Sequence, residues 1–162
     1  MNTPPLVPRS ADEQARLDAA LVELFEQRIT FNQTLGLKVL SVKPGDVRAR
    51  IAMRPELVGH YAYGRLHGGV ISATLDAMGG LAVMAAIGAR HMDEAPLARL
   101  HRFGKLGTID LRIDYLRPGL GQHFIATAEV TRLGGRIGST QMRLVNDEGT
   151  LLATGAAAYV VA

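Results

Sequence analysis

Residues 67–80 read HGGVISATLDAMGG and lie within a long apolar stretch, 66–89, that carries one formal charge, Asp76. Length alone would suit a membrane-spanning helix, which needs roughly 20 apolar residues. The embedded His67 and Asp76, together with repeated glycines, favour instead the buried helix of a soluble protein. We therefore predict one long helix over about residues 68–89, buried on most of its sides.

Alternating apolar and polar residues predict strands on both sides of this helix. Two strands before it are joined by a Pro44-Gly45 turn, and four more follow it, separated by junctions that contain glycine. Consecutive hairpins form an antiparallel sheet, and a single long helix packs on one face of such a sheet. The predicted fold class is therefore α+β. The predicted strands cover residues 36–43, 46–53, 108–118, 123–133, 136–147 and 150–162.

The remaining segments are consistent with a single domain over residues 11–162. Residues 1–10 are rich in proline and are predicted to be flexible. Residues 11–29 carry apolar side chains at helical spacing and predict an amphipathic helix. Residues 54–65 have no regular pattern. Residues 90–105 are predicted to form a surface loop, and its unusual length suggests a lid or a specificity insertion.

The composition of the 162-residue chain excludes several kinds of chemistry. The absence of cysteine excludes disulfides, thiolate metal sites and a cysteine nucleophile. The net charge of +3 is spread along the chain and aromatic residues are few, so nucleic acid is not an expected partner. The histidines lack metal-site spacing, and the N-terminus lacks the apolar segment of a secretory signal. These features predict a cytoplasmic protein without a membrane span, metal or cofactor.

Asp76 is the residue that most strongly suggests catalysis. A lone carboxylate in an apolar helix is costly unless it is paired, protonated or facing a cavity. Such a group suits general-base catalysis, although an Asp on an exposed stripe or at a subunit interface fits the same pattern. His67, Gly68 and Gly69 stand where the helix begins, and free N–H groups there can hold a developing oxyanion. The glycines can equally serve only a tight entry into the helix.

The spacing of these groups separates them in space. The nine positions from His67 to Asp76 correspond to roughly 13 Å of helix rise. One chain therefore does not easily bring both ends to one carbonyl group. A site that uses both needs two chains packed side by side, and this predicts an obligate dimer.

Other polar residues are weaker candidates. Ser72 lies one turn before Asp76 and can hydrogen-bond either to it or locally. Thr108 begins a predicted strand, where a surface role is the simpler explanation. Arg132 and Arg136 flank a Gly-Gly turn, where they either meet phosphate groups or are only solvated.

Four segments in order, LHGGVISATLDAMGG, TIDLRIDYLRPG, ATAEV and GRIGSTQMRLVNDEGTLLATGAAAYVV, resemble the PaaI-like branch of the hotdog thioesterase superfamily. The resemblance covers about residues 35–162 and is strongest to bacterial medium- and long-chain acyl-CoA thioesterases. It implies a hotdog fold, in which an antiparallel sheet wraps around one long helix, and a homodimer or homotetramer. It also implies hydrolysis of a medium- or long-chain (or aryl) acyl-CoA to the free acid and CoA without a cofactor.

The resemblance implies a role for each residue around the helix. Asp76 would be the catalytic carboxylate, acting either as general base on water or as nucleophile on the thioester. Gly68 of the other subunit would donate its N–H to the thioester carbonyl. Gly69 would support that turn, and His67 would orient the substrate or the loop.

Residues outside the helix complete the implied site. Relatives often carry Ser or Thr near the attacking water at the position of Thr108, and they contact the nucleotide part of CoA near Arg132 and Arg136. Relatives also carry Asn or Gln shortly before the motif histidine, where this chain has His60 and Tyr61. Of these two, His60 is the more plausible hydrogen-bond donor.

Two other activities fit the same fold. A non-catalytic acyl-CoA binding or sensing protein would use the same pocket, although residues 1–34 are too short for a clear DNA-binding helix-turn-helix. A dehydratase-type hotdog enzyme would act on an acyl-thioester with a catalytic histidine and an acid. The resemblance alone favours the thioesterase over this third activity.

Overall fold

The computed structural model describes residues 9–92 and 101–161. Its longest helix confirms the prediction made from the apolar stretch, and a shorter helical segment precedes it. That segment bends at one π-helical turn, a feature that often occurs near functional sites. The helical elements are α1 (Ala11–Glu23), the π turn (Leu24–Arg28), α2 (Thr30–Leu35) and α3 (Gly68–Arg90).

Six strands form one antiparallel sheet in the order β1-β2-β6-β7-β8-β5, and two short strands form a separate hairpin. All six predicted strands are present, and the antiparallel α+β fold class is confirmed. The strands are β1 (Lys38–Lys43), β2 (Asp46–Ala52), β3 (Val58–His60), β4 (Arg65–Leu66), β5 (Gly107–Tyr115), β6 (His123–Leu133), β7 (Ile137–Asn146) and β8 (Leu151–Val160).

The inner face of the sheet packs on α3. Along β6, Phe124, Ala126 and Ala128 are buried, while Ile125 and Thr127 between them are only half-buried. From the helix, Leu75, Met78 and Leu81 are all 0 % exposed. Burying one such side chain stabilises a protein by about 1.5–3 kcal/mol. This contact places α3 in the centre of the fold.

Helix α3 has the length and composition of a membrane span, with a mean hydropathy of 1.8 over its most apolar window. However, 67 % of that window is buried inside the protein. Core helices of soluble proteins show the same combination, so the sheet accounts for the apolar character of α3 without a membrane.

The N-terminal helical segment covers one side of this core. Ser10 and Glu13 form a capping box, in which Glu13 N–H donates to Ser10 Oγ and Ser10 N–H donates to Glu13 Oε2. Leu17, Leu21 and Phe25 are buried. The predicted helix over 11–29 is therefore confirmed, but residues 24–28 of it form the π turn. The short helix α2 then continues the helical segment beyond residue 29.

Two regions differ from the prediction. Residues 54–65, which have no regular sequence pattern, include most of the β3–β4 hairpin, because Val58 pairs with Leu66. The surface loop predicted for 90–105 is wrong at residues 101–103, which are helical and place Phe103 in the core. Burying the apolar Phe103 side chain is favourable, so this part of the segment packs against the core instead of forming a solvated loop.

Two other expectations lie largely outside the described residues. Residues 1–8 contain most of the segment predicted to be flexible. Residues 93–100 contain the middle of the predicted lid or specificity insertion.

Among residues 9–92 and 101–161, strand β5 forms one edge of the sheet and has β8 as its single partner. Ile109 is 56 % exposed and Tyr115 is 55 % exposed. An open edge strand with apolar side chains favours pairing with another chain. The dimer stays a prediction, since it concerns a second copy of the chain.

Candidate active site

Asp76 lies in the middle of α3 and faces a cavity of about 330 Å³. Thr108, at the start of β5, donates a hydrogen bond from Oγ1 to Asp76 Oδ1 at 2.9 Å. The single charge of the apolar helix is thus both hydrogen-bonded and open to a cavity. These are two of the conditions under which such a carboxylate is tolerated.

The cavity beside Asp76 is mainly apolar. The N-terminal helical segment forms one wall, a stripe of small residues on α3 forms another, and the start of β5 closes the third side. A carboxylate at the edge of an apolar cavity suits a substrate that joins a polar reacting group to a hydrocarbon chain. The apolar lining residues are Phe25, Ile29, Phe31, Ala73, Ala77, Gly80, Met84 and Leu106.

Tyr159 also contacts Asp76, and the sequence did not single it out. Its hydroxyl donates to the Asp76 backbone oxygen at 2.9 Å and lies 3.3 Å from Oδ1. Burial raises the pKa of this hydroxyl well above its usual range, and the nearby Asp76 charge raises it further. One sequence feature could have identified Tyr159. The alternation along β8 places it on the inner face of the strand, and it is the one large residue after a run of small ones.

The beginning of α3 is organised by His67. His67 is the N-cap residue, and its Nδ1 accepts a hydrogen bond from the Gly69 N–H at 2.8 Å. The N–H of Gly68 is at the first helical position, where the helix itself supplies no carbonyl to accept from it.

Two side chains bond the carbonyl groups of this first turn. Ser72 donates back to the Gly68 and Gly69 carbonyls, each at 3.2 Å, so it bonds the helix backbone and not Asp76. Tyr115 donates to the Gly68 carbonyl at 3.1 Å.

Gly68 and His67 line a second cavity of about 340 Å³. Its lining shares no residue with the cavity beside Asp76. Asp76 and the Gly68 N–H of the same chain therefore lie in different cavities. This agrees with the separation that the helix spacing predicts. The two groups are separated along α3 by roughly 12 Å of rise.

His60 lies in the β3–β4 hairpin and lines the second cavity, away from Asp76 of the same chain. Its ring stacks on Tyr61 at 5.8 Å and contacts Tyr63 at 4.7 Å, measured between ring centroids. The Arg65 guanidinium lies 4.5 Å from the centroid of Tyr63, a cation–π contact. Tyr61 is 95 % exposed. Of the two residues at the position of the family amide, His60 is the one that reaches a cavity.

Arg132 and Arg136 lie at the β6–β7 turn, near the end of α3, where Arg90 Nη1 donates to the Leu133 carbonyl at 3.0 Å. Both arginines are exposed, and neither lines the two cavities described above. Their contact with CoA stays a prediction.

A larger hollow of about 770 Å³ lies on the outer face of the sheet, away from α3. Several charged side chains line it, and Arg48, Thr127 and Arg143 lie side by side on three neighbouring strands. It contains none of the candidate residues. Within the described parts of the chain, no three His, Asp or Glu side chains come close enough together to hold a metal ion.

Comparisons with known proteins show which family the chain resembles. Residues 63–153 match the family model described as the thioesterase superfamily. The chain is 34 % identical over 139 residues to the medium/long-chain acyl-CoA thioesterase YigI of Escherichia coli K12. The aligned region covers 86 % of this chain and 90 % of the relative.

Solved structures show the same relationship. A Shewanella oneidensis protein related to the thioesterase superfamily superposes with a TM-score of 0.86 at 38 % identity, covering 94 % of this chain and all (100 %) of the other. A variant of the phenylacetic acid degradation protein PaaI from Thermus thermophilus has a TM-score of 0.65 at 25 % identity, covering 82 % of this chain and 99 % of the other.

The fold and the family match define a hotdog-fold thioester hydrolase. The chain belongs to the thioesterase superfamily. The matched range contains Gly68, Asp76 and Thr108 but ends before Tyr159. The predicted family and enzyme class are therefore confirmed, while the roles of individual residues stay predictions.

Proposed function

We propose that the protein hydrolyses a medium- or long-chain (or aryl) acyl-CoA to the free acid and CoA, with Asp76 as its catalytic carboxylate. The observation that carries the proposal is the position of Asp76, held by Thr108 at the edge of an apolar cavity. The relative YigI is a medium/long-chain acyl-CoA thioesterase, and this supports the same substrate class for the present chain. The cytoplasm, where acyl-CoA is consumed, would be the place of action.

The reaction begins at the carbonyl carbon of the thioester. As a general base, Asp76 takes a proton from water while the water oxygen bonds to that carbon. The carbonyl oxygen becomes an oxyanion, and collapse of this tetrahedral species breaks the C–S bond and releases the CoA thiolate. As a nucleophile, Asp76 itself attacks the carbon, and the C–S bond breaks to release the CoA thiolate and leave an anhydride, which water then hydrolyses to the free acid and the Asp76 carboxylate.

The oxyanion needs a hydrogen-bond donor, and Gly68 of a second chain is the best candidate. Its N–H is free at a helix start, where backbone donors stabilise negative charge. Asp76 and Gly68 of one chain line different cavities. A homodimer that pairs through the open edge of β5, or a tetramer built from two such dimers, would join the two half-sites. Gly69 and His67 would hold the turn that presents the donor.

The rest of the substrate has two further contacts. The acyl chain would lie in the 330 Å³ cavity between α3 and the N-terminal helical segment. His60 would take the place of the family amide beside the reacting group, from the same chain as the Gly68 donor. The CoA nucleotide would reach Arg132 and Arg136, whose guanidinium groups suit phosphate.

The test is release of CoA from a panel of saturated acyl-CoAs of increasing length and one aryl-CoA. We expect turnover by the wild type and a loss of roughly 10²- to 10⁴-fold in Asp76→Asn, because the amide cannot accept the proton. Asp12→Asn changes an exposed carboxylate in the first turn of α1, away from Asp76 and from the β5 edge, and should keep full activity. Unchanged turnover in Asp76→Asn would contradict the assignment, and no turnover by the wild type would favour an acyl-CoA binding protein.

A further inference from the structure

Tyr159 is a buried polar residue that the reaction described above does not use. Its side chain is 1 % exposed on the inner face of β8. A buried tyrosine hydroxyl normally has a hydrogen-bond partner. The Tyr159 hydroxyl donates to the backbone oxygen of Asp76 and contacts its Oδ1, while the Thr140 side chain and the Gly80 backbone also lie within hydrogen-bonding reach of that hydroxyl.

We propose that Tyr159 is a positioning residue that holds the Asp76 carboxylate in the orientation required for thioester hydrolysis. The inference rests on the proposed function of Asp76. Tyr159 would not contact the reacting carbon, since its hydroxyl approaches Asp76 from the sheet, and its effect would pass through the carboxylate.

Two hydroxyl groups contact the same carboxylate oxygen of Asp76, and the single hydrogen of the Tyr159 hydroxyl is shared between that oxygen and the Asp76 backbone oxygen. Thr108 donates to Oδ1 at 2.9 Å, and the Tyr159 hydroxyl lies 3.3 Å from that atom. Thr108 and Tyr159 are direct partners in the β5–β8 pairing, so the backbone of the sheet fixes their separation. With both side-chain hydrogen bonds on Oδ1, Oδ2 is the oxygen available to take a proton or to attack the thioester.

The electrostatic surroundings keep Tyr159 a donor. Burial raises the pKa of its hydroxyl, and the Asp76 charge raises it further; these effects outweigh the opposing hydrogen bonds with Thr140 and Gly80, so the hydroxyl stays protonated at neutral pH. A neutral donor hydrogen-bonded to a carboxylate favours the ionised form of that carboxylate. Tyr159 would thus both orient Asp76 and support its negative charge.

Gly79 provides an independent observation. A Cβ at position 79 would lie 2.2 Å from the Tyr159 hydroxyl oxygen and 2.6 Å from Met142 Sδ. Glycine is unfavourable in a helix interior relative to alanine. Helix α3 therefore has no side chain at position 79, where the Tyr159 hydroxyl approaches Asp76.

The test is Tyr159→Phe, which removes the hydroxyl and keeps the ring that lines the cavity. We expect kcat to fall roughly ten- to a hundredfold, the effect of losing a hydrogen bond to a charged group. KM should change little because the cavity wall is retained. The acid limb of the pH profile of kcat/KM should move to higher pH, since a carboxylate with one donor fewer ionises less readily.

Thr74→Val is the matched control. Thr74 is on the same helix, 1 % exposed, and its hydroxyl has no hydrogen-bond partner among the described residues. This variant should keep kcat and the pH profile of the wild type. If Tyr159→Phe does not fold, 3-fluorotyrosine at position 159 keeps the hydroxyl in place as a stronger donor, and the acid limb should then move to lower pH.

The outcomes separate the two proposals. If Asp76→Asn is inactive but Tyr159→Phe changes only the melting temperature, Tyr159 is merely structural and this inference is wrong. An unmoved acid limb with 3-fluorotyrosine would overturn it in the same way. If Asp76→Asn is fully active, the proposed function fails first, whatever Tyr159→Phe does.

Discussion

At the scale of single residues, the carboxylate of Asp76 depends on hydroxyl groups from two neighbouring strands. Thr108 belongs to the edge strand β5, and Tyr159 to β8 beside it. The edge strand is the part of the sheet that a second chain would contact.

Replacing Thr108 by valine removes one donor and keeps the shape of the side chain. We expect kcat to fall roughly tenfold or more, because hydrogen bonds to charged groups contribute about 1.5–3 kcal/mol. Thr108→Ser keeps the hydroxyl and should retain most of the activity. Steady-state kinetics of the two variants on one acyl-CoA decides the point. Equal activity of valine and serine at this position would show that the hydroxyl is not needed.

The sequence predicts these residues to very different degrees. Asp76 stands out because a charge in an apolar helix is costly. Thr108 has no such signal, since alternation shows only that it begins a strand, and it entered through the family resemblance. Tyr159 lies 83 residues from Asp76 along the chain, and only the pairing of β5 with β8 brings the two together. Contacts of that kind cannot be read from local periodicity.

At the scale of secondary structure, α3 supplies both a core and a cavity wall. Ala73, Ala77, Gly80 and Met84 recur along one side of α3, where they face the N-terminal helical segment. The small side chains leave space that Met84 limits at one end. The length of the acyl chain should therefore depend on what occupies positions 80 and 84.

Gly80→Ala should shift the preference toward shorter acyl chains. A Cβ at position 80 would lie 3.5 Å from Leu106 Cδ2, an ordinary contact, so the helix tolerates it while the cavity narrows. Alanine should also stabilise the helix by about 1 kcal/mol. Met84→Ala should shift the preference the other way. Measuring kcat/KM against chain length for both variants tests this; an unchanged preference in both would place the acyl chain elsewhere.

The sequence predicts the long elements well and the short ones poorly. The bounds of β6 agree with the predicted strand, and α3 differs by about one residue, because both have long, clear patterns. Helix α2 went unrecognised because it is a single short element that depends on a tertiary contact. In it, the buried Asn32 donates from Nδ2 to the Phe25 carbonyl at 3.1 Å. The β3–β4 hairpin is too short for alternation to reveal.

At the scale of the whole molecule, the predicted dimer can be tested by complementation between two inactive variants. Gly68→Pro removes the proposed oxyanion donor, and proline suits the first position of a helix. His67 before it has φ −66° and ψ 137°, the extended conformation that proline requires of its predecessor. Asp76→Asn removes the carboxylate. Each variant alone should be inactive.

Co-expression of the two variants should restore about a quarter of the wild-type activity. Half of the dimers are then mixed, and each mixed dimer has one intact site of two in an isologous arrangement. Light scattering should show a dimer or a larger assembly. An active monomer, or no recovery on mixing, would place Asp76 and its oxyanion donor in one chain.

The close approach of Tyr159 to Gly79 has a consequence for how this sequence can change over time. A Cβ at position 79 would lie 2.2 Å from the Tyr159 hydroxyl oxygen, 2.9 Å from its ring carbon Cζ and 2.6 Å from Met142 Sδ, so alanine there requires both side chains to shift or to be replaced by smaller ones. Position 79 is therefore epistatic with positions 142 and 159, and the order of substitution matters. A lineage that keeps both side chains in place is bound to keep the glycine. Homologues with alanine at 79 should carry smaller residues at 142 and 159.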